Sequence, residues 1–324
     1  MANMRRIGIL TSGGDTPGMN AAIRSVFKMG SYLGMNVMGV FHGYVGLMSG
    51  NIRQLTHRDV ESIVHKGGTM LRTARSDLFK TEEGVQQAIK VLDAYQIEGM
   101  VVVGGDGSYN GARFLSSKGV PVICLPGTID NDLGYTDYTI GFDTAANSVM
   151  NEIYKIRDTM RSHDRVGAIE VMGRACGDIA LHAGVAGGAD YILVPEETPD
   201  GYEEACARLI AQQLKGQTTS IVLIAEGAGG AEDFCRYVTD HSNIEIRPIV
   251  LGYTQRGGQP SLFDRVNATR MGSRAVELLD DGIINRAVGL RNNEVYDLDL
   301  TEALETPKRF DKRLYDLNNI TALF

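Results

Sequence analysis

The stretch Val101-Val-Val-Gly-Gly-Asp-Gly-Ser108, followed shortly by Pro126-Gly-Thr-Ile-Asp-Asn-Asp132, decides how this chain is read. Three consecutive valines predict a strand buried on both faces. They run straight into a turn built from Gly104, Gly105 and Gly107. Glycine lets a backbone turn tightly and come close to a ligand. Asp106 stands in that turn with little side-chain bulk around it. Open backbone N–H groups suit phosphate oxygens and one carboxylate suits a hard cation, so the turn predicts a magnesium–phosphate site. The second piece repeats the plan. The apolar run Val120-Pro-Val-Ile-Cys-Leu125 ends in a turn bearing Thr128, Asp130 and Asp132. Ligands of open α/β sheets lie beyond the carboxyl ends of strands, so two such ends can serve one substrate. One acid would hold metal and another would take a proton. The plainer reading, two ordinary turns with solvated carboxylates, is outweighed by the density of such motifs.

Upstream, Arg6-Ile-Gly-Ile-Leu-Thr11 predicts a first buried strand, and a helix follows from about 20 to 34. Between them lies Ser12-Gly-Gly-Asp-Thr-Pro-Gly-Met-Asn20, the layout that places phosphate at a helix N-terminus. Met19 and Asn20 occupy the positions where a P-loop needs Lys and Ser or Thr, and no G-x-G-x-x-G follows. A standard P-loop and a dinucleotide fingerprint are both excluded. Gly14 remains a candidate for close approach to phosphate. Gly67-Gly-Thr-Met-Leu-Arg-Thr-Ala-Arg75 reads as a loop with two buried-facing arginines, Arg72 and Arg75. An arginine beside such a turn can bridge transferring phosphoryl oxygens.

Downstream the pattern alternates. Strands are expected at 36–41, 166–172, 191–195, 220–226 and 246–251. Helices are expected near 82–95, 142–160, 177–187, 201–215, 231–241 and 262–282. Alternation with apolar strands means parallel sheets covered on both faces, in two α/β blocks between which the chain crosses more than once. In the second block Arg157, Arg161 and Arg165 are spaced by four, on one helix face or just past its end. Arg174 and Glu226 fall at strand ends. Arg247 precedes the turn Val250-Leu-Gly-Tyr-Thr-Gln-Arg-Gly-Gly258, which bears Tyr253 and Arg256. Together they predict a pocket for a hydroxylated, phosphorylated anion: arginine forks take phosphate and a carboxylate accepts from hydroxyls.

The chain's 324 residues allow about two domains, and 43% hydrophobic with 22% charged residues is a globular composition. No apolar run reaches the roughly 18 residues that a membrane span needs. The first residues lack the long apolar region of a signal peptide. Cys124, Cys176, Cys206 and Cys235 are scattered with no C-x-x-C pair, which fits reduced thiols in a cytoplasm. A net charge of −8 argues against a general nucleic-acid binder.

These residues resemble the bacterial ATP-dependent 6-phosphofructokinase family over nearly the whole chain. The motifs are T-S-G-G-D-x-P-G-M-N (11–20), G-G-D-G-S (104–108), P-G-T-I-D-N-D (126–132), M-G-R (172–174) and L-G-x-x-Q-R-G-G (251–258). The resemblance implies two Rossmann-like three-layer α/β/α domains with mainly parallel sheets and the active site in the cleft between them. Residues 1–140 plus about 254–306 would bind ATP; about 141–253 plus 307–324 would bind the sugar phosphate. The implied reaction transfers the γ-phosphoryl group of ATP to the 1-hydroxyl of fructose 6-phosphate, the committed step of glycolysis. Asp130 is the implied base, with Arg75 and Asp132 assisting, and Asp106 the Mg²⁺ ligand. Gly14, Arg75, Ser76, Gly105, Asp106, Gly107 and Ser108 would hold ATP. Thr128, Ile129, Asp130, Met172, Gly173, Arg174, Glu226, Tyr253 and Arg256 would grip the sugar. Arg165 and Arg247 would reach the 6-phosphate from a neighbouring subunit of a homotetramer.

Pyrophosphate-using relatives carry Asp at Gly107 and Lys at Gly127, so the two glycines favour ATP. Tyr253 stands where many relatives have His; a phenol can donate to phosphate but is no cation near neutral pH. For an effector, ADP or phosphoenolpyruvate, Arg24, Arg157, Gly188 and Lys215 match the family's site. Lys28 and His57 replace Arg, Asp190 replaces Glu, and Gln217-Thr-Thr219 replaces a Lys-Lys-His run. Weak or altered allostery is therefore expected. Competing readings are a pyrophosphate-dependent enzyme, a catalytically silent sensor of the same fold, and an NAD- or lipid-type kinase. The T-I-D-N-D and M-G-R motifs oppose the last.

Overall fold

The computed structural model describes residues 4–197 and 201–322. The chain forms two compact α/β units. The first runs up to Ile129 and adds Leu133–Thr144 and Arg256–Lys308. The second comprises Asp130–Asp132, Ala145–Gln255 and the chain from Arg309 on. The sequence reading set the crossings near 140, 254 and 306 and did not separate Asp130–Asp132 from its strand.

The first unit is built on strands β1 (Arg6–Thr11), β2 (Asn36–Val40), β3 (Ile52–Gln54), β4 (Gly99–Gly104), β5 (Val122–Thr128), β6 (Ile140–Gly141), β11 (Arg286–Arg291) and β12 (Glu294–Asp299). Their order is β12-β11-β5-β4-β1-β2-β3, with β6 on the end of β5. Pairing is parallel except at β2–β3 and β11–β12. Strand periodicity of two explains the layers. Ile7, Ile9, Val101, Val103, Ile123 and Leu125 face one core with helices Met19–Tyr32 and Leu262–Asp280. Leu10, Met100, Val102, Val122 and Cys124 face a second core with helices Glu82–Ala94 and Asp106–Ser117. From β1 the chain steps to β2 on one side, and from β4 to β5 on the other. The switch point therefore lies between β1 and β4, and both carboxyl ends there lead into glycine-rich turns.

The second unit has β7 (Val166–Val171), β8 (Tyr191–Leu193), β9 (Ser220–Ala225) and β10 (Ile246–Val250), all parallel in the order β10-β7-β9-β8. Val166, Ala168, Val222 and Ile224 pack on the helices Gly201–Leu214 and Ala231–His241. On the other face, glycines allow close helix packing: a Cβ at Gly184 would strike Ile192, and one at Gly167 would press on Met160. Among the described residues no helix is long and apolar enough to cross a membrane.

The hairpin β11–β12 was not expected from the sequence. Its two-residue turn, Asn292-Asn293, has φ of 50° and 63°, the primed geometry that matches strand twist. Asparagine tolerates that region.

Asp264 fixes the start of the helix Phe142–Ser162. It accepts from the Gly141 N–H (2.8 Å), the Thr144 N–H (2.9 Å) and the Thr144 hydroxyl. Burial pushes its carboxyl up to about 6, partly opposed by those hydrogen bonds. A carboxyl raised in the folded state contributes most stability below its unfolded value near 4, and that contribution is lost as pH rises through about 6. Asp264→Asn, which cannot titrate, is expected to gain stability relative to the native chain by up to about 3 kcal/mol between pH 4 and 7. Urea unfolding of both proteins across this range checks it; a pH-independent difference contradicts it.

Candidate active site

In the first unit the glycine-rich turns are stitched together by backbone. The Ser12 N–H donates to Val103 O (3.0 Å). A Cβ at Gly104 would collide with Ser108 Oγ and Ser12 O, so only glycine permits the two turns to approach this closely. Gly105 is the N-cap, and Asp106 is the first residue of the helix Asp106–Ser117 rather than part of an open turn. Its carboxylate is exposed and accepts from the Asn110 amide (3.3 Å). The helix N-terminus favours negative charge and offers free N–H groups to phosphate. Tyr44 steadies this turn: its hydroxyl donates to Ser108 O (2.6 Å), and its ring stacks on Phe79. Phe79 N in turn donates to Ser76 Oγ (3.1 Å), tying the loop of Arg75 and Ser76 to the same support.

Gly107 faces open space, whereas a Cβ at Gly127 would press on Val103, Met19 and the Gly104 nitrogen. Thr128 is buried, and its carbonyl accepts from Thr139 Oγ1 (2.6 Å). Ile129, also buried, closes this segment of the unit. Gly14 lies under the Arg256 guanidinium, which also approaches Asp15 O (3.5 Å). Arg256 thus belongs beside the first glycine-rich turn, in a different unit from Tyr253. Asn20, in the place of a P-loop hydroxyl, is an internal staple. Its amide donates to Lys66 O (3.0 Å) and Gly67 O (3.1 Å), and its oxygen accepts from Met70 N (2.8 Å).

Arg72 and Arg75 are exposed, not buried-facing. Arg72 adopts φ of 60°, and its carbonyl accepts from Thr11 Oγ1 (3.0 Å), so backbone bonding fixes the loop while the charged heads stay in solvent.

In the second unit the site residues gather at strand carboxyl ends. Met172, Gly173 and Arg174 follow β7 in an unusual turn, with φ of 136° at Gly173 and 53° at Arg174. The turn is held by side chains. Gln255 Oε1 accepts from Met172 N (3.0 Å), and Glu226 Oε1 accepts from Gly173 N (3.1 Å) and Arg174 N (2.7 Å). Asp130 is only 2% exposed, and Arg174 Nε lies 3.3 Å from its Oδ2. Asp132 follows two residues on, after Asn131 in the left-handed region. A pocket of about 150 Å³ is lined by Glu170, Met172, Glu226, Gly252 and Tyr253, among others. Tyr253 is 84% exposed. The pocket presents the carboxylate side chains of Glu170 and Glu226 beside the Met172 turn.

Arg165 and Arg247 stand apart. They flank the first residues of β7 and β10, whereas Arg174 and Tyr253 follow the last. At about 3.3 Å per residue the two ends of such a strand lie roughly 17–20 Å apart. Within one chain these arginines cannot join Arg174 around a small sugar. Both are bridged by one carboxylate oxygen, Glu245 Oε1, at 2.7 and 2.6 Å.

The effector candidates also divide by unit. In the first, Arg24 and Lys28 share the helix Met19–Tyr32, and Lys28 Nζ lies 3.1 Å from His57 Nδ1. In the second, Arg157 donates to the carbonyl of Gly188, and Lys215 is exposed. Asp190 is engaged at both oxygens, by Gln217 Nε2 (2.8 Å) and Ile221 N (2.7 Å). The sequence did not single out Gln255, which holds the Met172 turn, or the Asn131–Asp178 pair, although Gln255 and Asn131 lie inside the quoted motifs.

Parallel sheets that open onto glycine-rich turns, with buried acid and arginine at strand ends, define the class as an α/β phosphotransferase. The phosphofructokinase family model matches residues 6–279. The curated ATP-dependent 6-phosphofructokinase of Alkaliphilus metalliredigens is 50% identical, covering 99% of this chain and all of that protein. That of Clostridium botulinum (strain Loch Maree) is 51% identical, covering 98% and 99%. A phosphofructokinase structure from Saccharomyces cerevisiae superposes with a TM-score of 0.86 at 31% identity, over 98% of this chain. The chain spans about half (48%) of that yeast protein. A pyrophosphate-dependent phosphofructokinase from Marinobacter aquaeolei shares the fold, with a TM-score of 0.85 at 22% identity, covering 95% of this chain and 86% of that one. The chain belongs to the phosphofructokinase family.

Proposed function

We propose that the chain transfers the γ-phosphoryl group of ATP to the 1-hydroxyl of fructose 6-phosphate, giving fructose 1,6-bisphosphate and ADP. The observation that carries this reading is Asp130, buried at the end of the P-G-T-I-D-N-D motif and held beside Arg174, in a chain half identical to enzymes of that name. Asp130 takes the hydroxyl proton as the acceptor oxygen attacks. Arg75, exposed and beside the nucleotide turns, meets the transferring phosphoryl oxygens. Phosphoryl transfer needs positioning and charge stabilisation rather than covalent help. The phosphates lie on Gly14, Gly105, Gly107 and Ser108, and the sugar on Thr128, Met172, Gly173, Glu226 and Tyr253.

Among the described residues no cluster of three or more His, Cys, Asp or Glu could hold a metal by itself. Mg²⁺ is bound through one or two carboxylates plus substrate phosphates, and the exposed Asp106 carboxylate offers one such ligand. Asp106 would hold it. When bound it neutralises charge on the phosphates.

Arg165 and Arg247 serve a neighbouring copy's sugar 6-phosphate in a tetramer, a reading supported by their place at the strands' amino ends. Effector capture by ADP or phosphoenolpyruvate is weak: Asp190 already has both oxygens engaged, and Lys28 and His57 replace fixed guanidinium charges.

A coupled assay with fructose 6-phosphate and Mg²⁺, run with ATP and in parallel with pyrophosphate, tests the function. Turnover is expected with ATP only, and added millimolar phosphoenolpyruvate should barely move the sugar-phosphate curve. Turnover with pyrophosphate would overturn the donor assignment, and none with either would favour a silent sensor.

A further inference from the structure

We propose that Asp178 is a positioning residue for phosphoryl transfer, acting through Asn131 to set the orientation of Asp130; this rests on the reading of Asp130 as the base. Asn131 is 2% exposed and sits at φ of 51° between the two acids of its loop. Its amide donates to Asp178 Oδ2 at 2.7 Å. Asp178 is itself buried and opens the helix Asp178–Gly187, where the dipole favours a carboxylate. A charge-assisted bond to a buried carboxylate is stronger and more directional than a neutral one.

The bond joins two others made at alternate residues of a single segment. Arg174 meets Asp130 (3.3 Å), the Cys176 thiol points to Asn131 O (3.9 Å), and Asp178 takes the Asn131 side chain. The segment is anchored in turn. Glu226 and Gln255 hold the N–H groups of its first three residues, and Glu196 Oε1 accepts from Gly177 N (2.9 Å). A loop gripped at its carboxylate, carbonyl and amide by so well anchored a strip has little freedom left. Catalysis needs that, because a misplacement of about 1 Å can cost about 100-fold in rate. The Asp178 carboxylate needs no contact with either substrate to matter.

The test uses the full chain, with Asp178→Ala, Asp178→Asn, Asn131→Ala, the Asn131→Ala/Asp178→Ala double variant and Asp130→Asn. Each is assayed well below its own melting temperature. Expected is a fall in kcat of about 10–100-fold for either alanine variant, with KM for fructose 6-phosphate nearly unchanged. Asp178→Asn, which keeps an acceptor oxygen, should recover much of the loss. The double variant should lose less than the product of the two single losses, because both remove the Asn131–Asp178 bond. A native kcat in Asp178→Ala, a rise in KM in place of the fall in kcat, or losses that multiply in the double variant would each overturn the proposal. Should Asp178→Ala not fold, Asn131→Ala and Asp178→Asn carry the same comparison. Asp130→Asn separates the two layers. If it turns over normally, the base reading fails. If it is inactive while Asp178→Ala is native, only the positioning role fails.

Discussion

Asp130→Asn is expected to lower kcat by about 10²–10⁴-fold, the range that a positioned general base contributes, while KM for ATP stays close to native. Asparagine keeps the shape of the carboxylate and can remain near Arg174, so packing is disturbed little. It cannot take a proton. Because Asp130 is 2% exposed, water is poorly placed to replace it. Steady-state kinetics against both substrates would decide this, and a variant within threefold of native kcat would remove Asp130 from the proton's path.

Glu226→Ala should act on both kinetic parameters. Glu226 Oε1 accepts from two backbone N–H groups in the turn at Gly173 and Arg174, whose positive φ values are strained for an L residue such as arginine. A hydrogen bond to a charged group contributes about 1.5–3 kcal/mol. Releasing the clamp, together with a carboxylate that lines the pocket beside that turn, is expected to reduce kcat/KM for fructose 6-phosphate by about 10²–10³-fold. Glu226→Gln, which retains an acceptor, should lose less. Equal losses in the two variants would mean that the charge alone matters and the turn needs no clamp.

Much of this was legible in the sequence because strand burial and glycine punctuation are local signals. The valines of β4 and the turn at Gly104–Gly107 could mean little else, and the alternation of apolar strands with amphipathic helices fixed the class. Long-range partnership was not legible. Nothing at Asn131 points 47 residues ahead to Asp178, and nothing at Arg256 says that it will lie over Gly14. Arg72 and Arg75 read as facing inward in a loop whose Leu71 is buried. Yet their heads need water, and the loop's backbone is satisfied without them. The hairpin β11–β12 had its signal in Asn292-Asn293, but polar residues in β12 obscured the alternation.

The contrast between Gly107 and Gly127 constrains how this lineage could change its phosphoryl donor by drift. A side chain at 107 enters open space and meets no neighbour, so aspartate there is compatible with the fold. A side chain at 127 must first displace Val103, Met19 or backbone, an overpacking that typically costs about 1–3 kcal/mol. Position 107 can vary without a packing cost, whereas a change at 127 carries one unless Val103 and Met19 give way.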